Sequence, residues 1–282
     1  MLSEELTIKR KGLFTASENH KLMAGWDIPE PSRDVESFDE LYPIMREMYD
    51  NGERSFLVGK MKKLTEAKVS GEIINAVKAV ITYEKPSTGL VSYAEQKAAE
   101  PYQVRSESNN FSTPHTVNGN EREDECVSRL EEKLGIEIHR KGDDQVHIVS
   151  GNIGATPDGI IFNELDLVES GIEAKCKSLE VHAQLLLINN NIDLLDYSLE
   201  HYAQVQTGMH VTDCDHWHFA IYNPDWICDE MQFKSIVIDR DDRFIDALLK
   251  RAEIAAEIRD KAEKELLRSV GLSVVSAKLK EI

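Results

Sequence analysis

The sequence has no uninterrupted apolar run of the roughly 20 residues needed to cross a bilayer. Its opening residues, "MLSEELTIKRKGLF", lack the apolar stretch of a secretory signal. Both absences predict a soluble, intracellular protein without a membrane partner. Cysteine is scarce: only Cys126, Cys176, Cys214 and Cys228 occur, and no two are close in sequence. That excludes a dense disulfide scaffold and favours a reduced, cytosolic state. Four thiolates also suffice for an iron–sulfur cluster, but their wide, irregular spacing argues against one. Basic residues are in deficit, 33 Lys and Arg against 51 Asp and Glu, for a net charge of −18. Such an excess disfavours general attraction to nucleic acid. It does not exclude it, because phosphate contact depends on where Lys and Arg cluster. Any DNA path is expected to be a confined basic groove in a negative body. Internal repeats and low-complexity tracts are absent as well.

What is present suffices for a packed core: 282 residues, 41% of them hydrophobic, enough for one large domain or two small ones. In "GLFTASENHKLMAG", Thr15 or Ser17 is placed to cap a following helix. Pro29 and Pro31 mark a loop, residues 36–84 read as mostly helical, and 90–100 as another helix. The polar stretch 105–120 reads as a long loop. A helix follows over about 120–134, with Glu123, Val127, Leu130 and Leu134 on one face. Strands are then expected at 145–150, 158–162 and 171–176 as an antiparallel set. Helices follow at about 179–189 and 193–211, strands at "HWHFAIYN" and "FKSIVID", and a last helix at about 241–270 with Gly271 to end it. This order predicts an α/β fold with a mixed sheet.

One stretch carries chemistry, "TPDGIIFNELDLVESGIEAKCK". Residues two apart on a strand share a face, so Glu173 and Lys175 project together and Ala174 opposes them. If the strands flanking "NELDLVES" pair, Asp158 comes beside Glu173. Two adjacent carboxylates repel, and a hard divalent cation bound through oxygen resolves the repulsion. The Ala174 carbonyl and Glu123, at the head of an apolar helix face, are candidate further ligands. Lys175 is placed to handle an attacking water. The bland alternatives are a Pro-Asp-Gly turn and an exposed strand pair. Each suffices for its motif alone. Neither explains two acids joined through adjacent strands with a third waiting on an apolar helix face. The His210, His216 and His218 group reads as packing rather than a zinc site, and Trp217, Phe219 and Tyr222 as core. The lysines of "GKMKKLTEAK", 59–68, suit a DNA backbone and a solvated helix face equally.

These motifs resemble the PD-(D/E)XK nuclease superfamily, and within it the phage lambda exonuclease and YqaJ-type recombination exonucleases. The resemblance rests on "GLFTASENHKLMAG", "NGNEREDECVSRL", "TPDGIIF…GIEAKCK" and "HYAQVQTGMHVTDCDHWHFAIYNPD", in the family's order. It covers roughly residues 8–25 and 90–270. It implies a restriction-endonuclease-like core, a mixed central β-sheet flanked by helices, in a single nuclease domain over 1–282 with a helical insert at about 26–89. It implies a 5′→3′ exonuclease on linear double-stranded DNA, leaving a 3′ tail for a single-strand annealing protein. A homo-oligomeric ring, trimer or tetramer, and the cytoplasm of a bacterial host carrying a phage gene are implied too. Asp158, Glu173, the Ala174 carbonyl and Glu123 would bind Mg²⁺ or Mn²⁺, two ions in all. Lys175 would act on water, supported by Gln204. Arg10, Ser17 and Thr156 would hold the DNA 5′-phosphate. The family's second pocket arginine is missing: counting puts Val181 there, with Lys177 and His182 nearby. An endonuclease or an iron–sulfur nuclease of the same superfamily is the alternative.

Overall fold

Two sheets carry the fold in a computed structural model that describes residues 10–24, 38–51, 74, 77, 86–103 and 114–272. The chain divides into two compact units, Ala24–Thr88 and the remainder, Met1–Met23 with Gly89–Ile282. In the first of these, helix α1 (Phe38–Asp50) buries Leu41 and Met45, four residues apart. The lysine-rich stretch 59–68 lies outside the described residues. All other elements named below belong to the second unit, apart from the single residue Thr88.

The smaller sheet has the order β1 (Phe14–Thr15), β3 (Ile153–Ala155), β2 (Ile148–Ser150). The expected single strand over 145–150 is thus half as long, and the chain turns at Gly151, φ +60°, to make β3 as its antiparallel partner. The larger sheet has the order β4 (Gly159–Phe162), β5 (Val168–Lys175), β6 (His216–Tyr222), β7 (Phe233–Asp239). β4 and β5 form the antiparallel hairpin that alternation predicted, whereas β5 and β6 are parallel. The expected three-stranded antiparallel set is corrected: β4 and β5 pair as expected, but the third strand, β2, pairs with β3 in the smaller sheet.

Helix α2 (Thr88–Ala99) and helix α3 (Pro114–Leu134) precede the strands. The expected loop at 105–120 gives way to helix from residue 114, where proline's fixed φ and missing N–H suit a first turn. On α3, Val127 and Leu130 are buried, but Leu134 is 36% exposed, so the apolar stripe ends a turn early. After β5 come α4 (Leu179–Leu185), α5 (Asn191–Tyr197) and α6 (Leu199–Thr212). The helix expected over 193–211 is interrupted at Ser198, whose backbone is extended and whose hydroxyl accepts the His201 N–H at 3.2 Å to cap α6. A short turn of helix, α7 (Asp229–Gln232), precedes β7. The last helix, α8 (Asp242–Ser269), starts at the Asp241 cap and buries Phe244, Leu248, Ala252 and Ala255. Among the described residues no helix is long and apolar enough to cross a membrane.

Helices α3 and α6 both pack on β5 and β6. The α3 side holds Cys126, Val127, Leu130, Ile172, Ala174 and Tyr222 in one apolar cluster. On the other side α6 approaches closely because Gly171 of β5 and Gly208 of α6 both face the Trp217 indole. A Cβ at either would fall 2.2 or 1.9 Å from ring atoms. Gly208→Ala should gain up to about 1 kcal/mol of helix propensity but lose about 1–3 kcal/mol to overpacking. We expect a net loss in urea-unfolding free energy. An unchanged midpoint would mean that the indole can move aside.

Candidate active site

In the larger sheet β5 outruns β4 at the end where β4 begins. Register pairs Gly159 with Ile172, so Glu173, Ala174 and Lys175 run on past the end of their neighbour. Pro157, which has no N–H, cannot extend the ladder. Asp158 takes over instead: its own N–H donates to the Ile172 carbonyl at 3.0 Å, and its Oδ2 accepts the Ala174 N–H at 2.8 Å. The N–H and C=O of one strand residue point to the same side, so the Ala174 carbonyl faces the Asp158 side too. Glu173 and Lys175 share the opposite face of β5 from Ala174 and are ion-paired. Lys175 Nζ also donates to Gln204 Oε1 of α6 at 3.1 Å.

The smaller sheet supplies the second half. β1 runs parallel to β3, pairing Phe14 with Ile153 and Thr15 with Gly154. Continued by two residues, this register brings Ser17 toward Thr156, although neither lies near the other in sequence. The link Thr156-Pro157-Asp158 then joins the two sheets. Thr15 sits at the start of the 3-10 turn Ala16–Lys21 without capping it through its side chain. Its backbone N–H donates to the Tyr93 hydroxyl at 3.1 Å. Below lie Lys97, 4% exposed, and its partners Glu18 and Glu100.

One cleft of about 370 Å³ is lined by Arg10, Ser17, Glu123, Thr156, Asp158, Glu173 and Gln204. Seven sequence-predicted site residues thus meet in one place, with Lys175 and Ala174 tied to them by hydrogen bonds. The possible substitutes for the missing arginine do not join them. Val181 and His182 are not on the cleft lining. His182 is buried, with Nε2 2.7 Å from the Met231 carbonyl and its ring against Trp226. Lys177 is exposed, and its charge reaches Glu123. The structure also brings in two residues that the sequence did not single out. Gln145, on the cleft lining, donates from Nε2 to Asp158 Oδ1 at 3.2 Å, and His147, off the lining, has Nδ1 3.0 Å from Oγ1 of the lining residue Thr156. The only signal for them was their spacing of two, and it becomes legible only once β3 is placed.

The acids are held against their ionisation. Burial, with Asp158 adding to it, pushes Glu123 up to about 7 against the opposing pull of Lys175 and Lys177. Glu173, 3% exposed, is pushed up to about 8 by burial although Lys175 pulls it down. Burial raises Asp158 too, opposed by Lys175, the Ala174 N–H and Gln145. For Lys175, burial alone would favour the neutral amine, but Glu173 and Asp158 outweigh it and keep the ammonium. Arg10 is partly desolvated, and Glu18, Tyr93 and Glu100 sustain its charge. Among the described residues no hydrogen-bond acceptor engages its guanidinium, which leaves its donors to the cleft.

Among the described residues no three His, Cys, Asp or Glu side chains converge as they stand into a cation cage. For the acids the reason is specific: Glu173 is turned onto Lys175, and Asp158 onto Ala174 and Gln145. Their oxygen-rich donor set, and the crowding that raises the pKa values of all three carboxyls, nevertheless suit a hard divalent cation. The cysteines do not suit a cluster. Cys126 and Cys176 adjoin in the core, but the Cys214 thiol donates to the Val168 carbonyl, at the far end of β5. Eight strand residues, about 26 Å, separate that end from Cys176. The His216 and His218 rings pack nearly perpendicular to each other on β6, away from the cleft lining.

Residues 74–215 match a family model described as the YqaJ-like viral recombinase domain. No curated protein sequence matches. Among solved structures, LHK-Exo in complex with dAMP is 19% identical, with 95% of this chain and 98% of that one covered at a TM-score of 0.57. The structure of LHK-Exo described as an alkaline exonuclease from Laribacter hongkongensis has the same identity and coverage at 0.56. A phage-related exonuclease from Haemophilus somnus 129PT is 16% identical, with 90% of this chain and 96% of that one covered at 0.54. At these identities the likeness is one of fold, a mixed α/β nuclease fold.

Proposed function

The chain belongs to the YqaJ-like viral recombinase domain family, and on that premise we propose that it is a divalent-metal-dependent DNA exonuclease. It digests one strand of linear duplex DNA from the 5′ end and leaves a 3′ single-stranded tail for an annealing partner. The observation that carries this reading is the meeting, in one cleft, of an acid set with its own lysine and a separate arginine and hydroxyl set.

Asp158, Glu173, the Ala174 carbonyl and Glu123 would hold Mg²⁺ or Mn²⁺, two ions in the proposed arrangement. When bound, such ions stabilise charge developing on a phosphate and make a bound water more acidic. Lys175 orients the attacking water and offsets the negative charge that develops on the phosphate. Gln204 holds the Lys175 ammonium at 3.1 Å, which fixes its direction. Arg10 supplies unengaged donors for the terminal 5′-phosphate, and Ser17 and Thr156 supply hydroxyls. The Ala174 N–H and Gln145 fix the Asp158 carboxylate by one hydrogen bond to each oxygen. A ring of three or four copies around the duplex belongs to the same reading, and light scattering that gives a monomer at working concentration would remove it.

The direct test is digestion of linear duplexes with 5′-phosphate or 5′-hydroxyl ends, with Mg²⁺ or with a chelator. We expect digestion only with the metal, faster from 5′-phosphate ends, and none of covalently closed circles. Cleavage of closed circles would identify an endonuclease instead. Mg²⁺ should also raise the thermal midpoint, because a ligand that binds only the folded chain stabilises it. Asp158→Ala should abolish that rise.

A further inference from the structure

His147 is the cleft neighbour that the proposed chemistry leaves unexplained. Its ring is half-buried, with Nδ1 3.0 Å from Thr156 Oγ1 and a buried Nε2 that has no partner among the described residues. The ring lies over Gly154, where a Cβ would fall 2.4 Å from Nε2 and 2.6 Å from Cε1. The bare backbone at Gly154 therefore makes the ring's seat and prevents any other residue there from sharing it. We propose that His147 is a positioning residue that turns the Thr156 hydroxyl hydrogen toward a phosphate bound in the cleft. This rests on the reading that Arg10, Ser17 and Thr156 hold the 5′-phosphate.

A neutral imidazole carries one hydrogen, on either nitrogen. On Nε2 it would be a buried N–H without an acceptor, an arrangement that folded proteins avoid. The hydrogen therefore belongs on Nδ1, which donates to Thr156 Oγ1. The threonine hydroxyl has one hydrogen and two lone pairs. With a lone pair committed to His147, its hydrogen is left to donate elsewhere. Phosphate oxygens at a dianionic end only accept, so this is the polarity that such a ligand needs. The neutrality assumed here has its own support. Burial, and Arg10 after it, hold the imidazole down to about 4, so the ring is uncharged near neutral pH.

The test compares kcat/KM on linear duplexes with 5′-phosphate and 5′-hydroxyl ends for the wild type, His147→Ala, His147→Asn and Thr156→Val. The asparagine amide can place an N–H donor where Nδ1 stands. We expect His147→Ala to lower the ratio of the two rates about tenfold, the usual effect of losing a hydrogen bond to a charged group. His147→Asn should restore most of the ratio. His147→Ala combined with Thr156→Val should lower it no further than Thr156→Val alone. A merely structural role would depress both substrates alike, leaving the ratio unmoved in His147→Ala, and that result overturns the proposal. So does an additive double variant. A wild type that digests DNA with no preference between the ends overturns the phosphate-pocket reading and this proposal together, whereas a preferring wild type with an unmoved His147→Ala ratio overturns this proposal alone.

Discussion

Lys175→Ala is expected to lower DNA hydrolysis by roughly 10²–10⁴-fold, the range over which a positioned acid–base group contributes. The lysine is 12% exposed, ion-paired with Glu173 and held by Gln204. No other described lysine or arginine bonds to Glu173 or Asp158. The variant should still fold, because Glu173 can take up a proton: it is already pushed up to about 8 with the lysine present, and losing that opposing charge pushes it further. The check is single-turnover digestion of a labelled duplex beside a circular dichroism melt. A folded variant within threefold of the wild-type rate would remove Lys175 from the chemistry. Gln204→Ala gives a graded comparison, since it frees the ammonium without deleting it, and a smaller loss is expected.

Glu173→Gln should separate stability from activity. Hydrolysis should fall at least about a hundredfold, because an amide loses the charge that attracts a cation. The metal-free protein, however, should become more stable in alkaline solution. The sign follows from the raised acids. A carboxyl whose folded pKa lies above its unfolded value binds its proton more tightly in the folded chain. Its contribution is fully present below the unfolded carboxylate range and is lost as pH rises through the folded value. For Glu173 that window runs from about 4.5 to about 8. Thus, in chelator, the wild-type thermal midpoint should drop between pH 5 and pH 9, and Glu173→Gln should flatten the drop. At pH 9 the variant should melt about 2–4 °C higher, the shift produced by about 1 kcal/mol in a chain of this size. A variant that melts lower at pH 9 would mean that the Lys175 pair outweighs the crowding of acids. The tenor of the result, loss of function with gain of stability, is expected where a site gathers like charges for a ligand.

Much of this was legible in the sequence for a physical reason. The hairpin of β4 and β5 announces itself by period-two alternation and by the polar turn at Asn163–Asp166, and its register follows once Asp158 is asked to meet Glu173. Glu123 was conspicuous because an acid on an apolar helix face needs a cause. Strand partnership was not legible. Alternation says which face a residue takes, not which strand it pairs with, so the segment 145–150 was expected beside β4 and β5, whereas β2 pairs with β3 in the smaller sheet. Strands of two and three residues, β1 and β3, are too short to show any period, and their pairing joins segments far apart in sequence. For that reason Gln145 and His147 stayed hidden: their partners, Asp158 and Thr156, come within reach only through β3. Ser198 looked like one more helical residue because its capping role depends on its backbone angles.

The link Thr156-Pro157-Asp158 has a further consequence. Two residue steps span at most about 7 Å, and proline stiffens them by fixing one backbone angle. On the proposed reading, one end of this link grips the terminal phosphate and the other faces the bond to be cut. The chain thus carries a short, rigid gauge whose length is covalent rather than negotiated by packing. Its reach is of the order of a single nucleotide of backbone, so on that proposed reading the stride along DNA would be written into three consecutive residues.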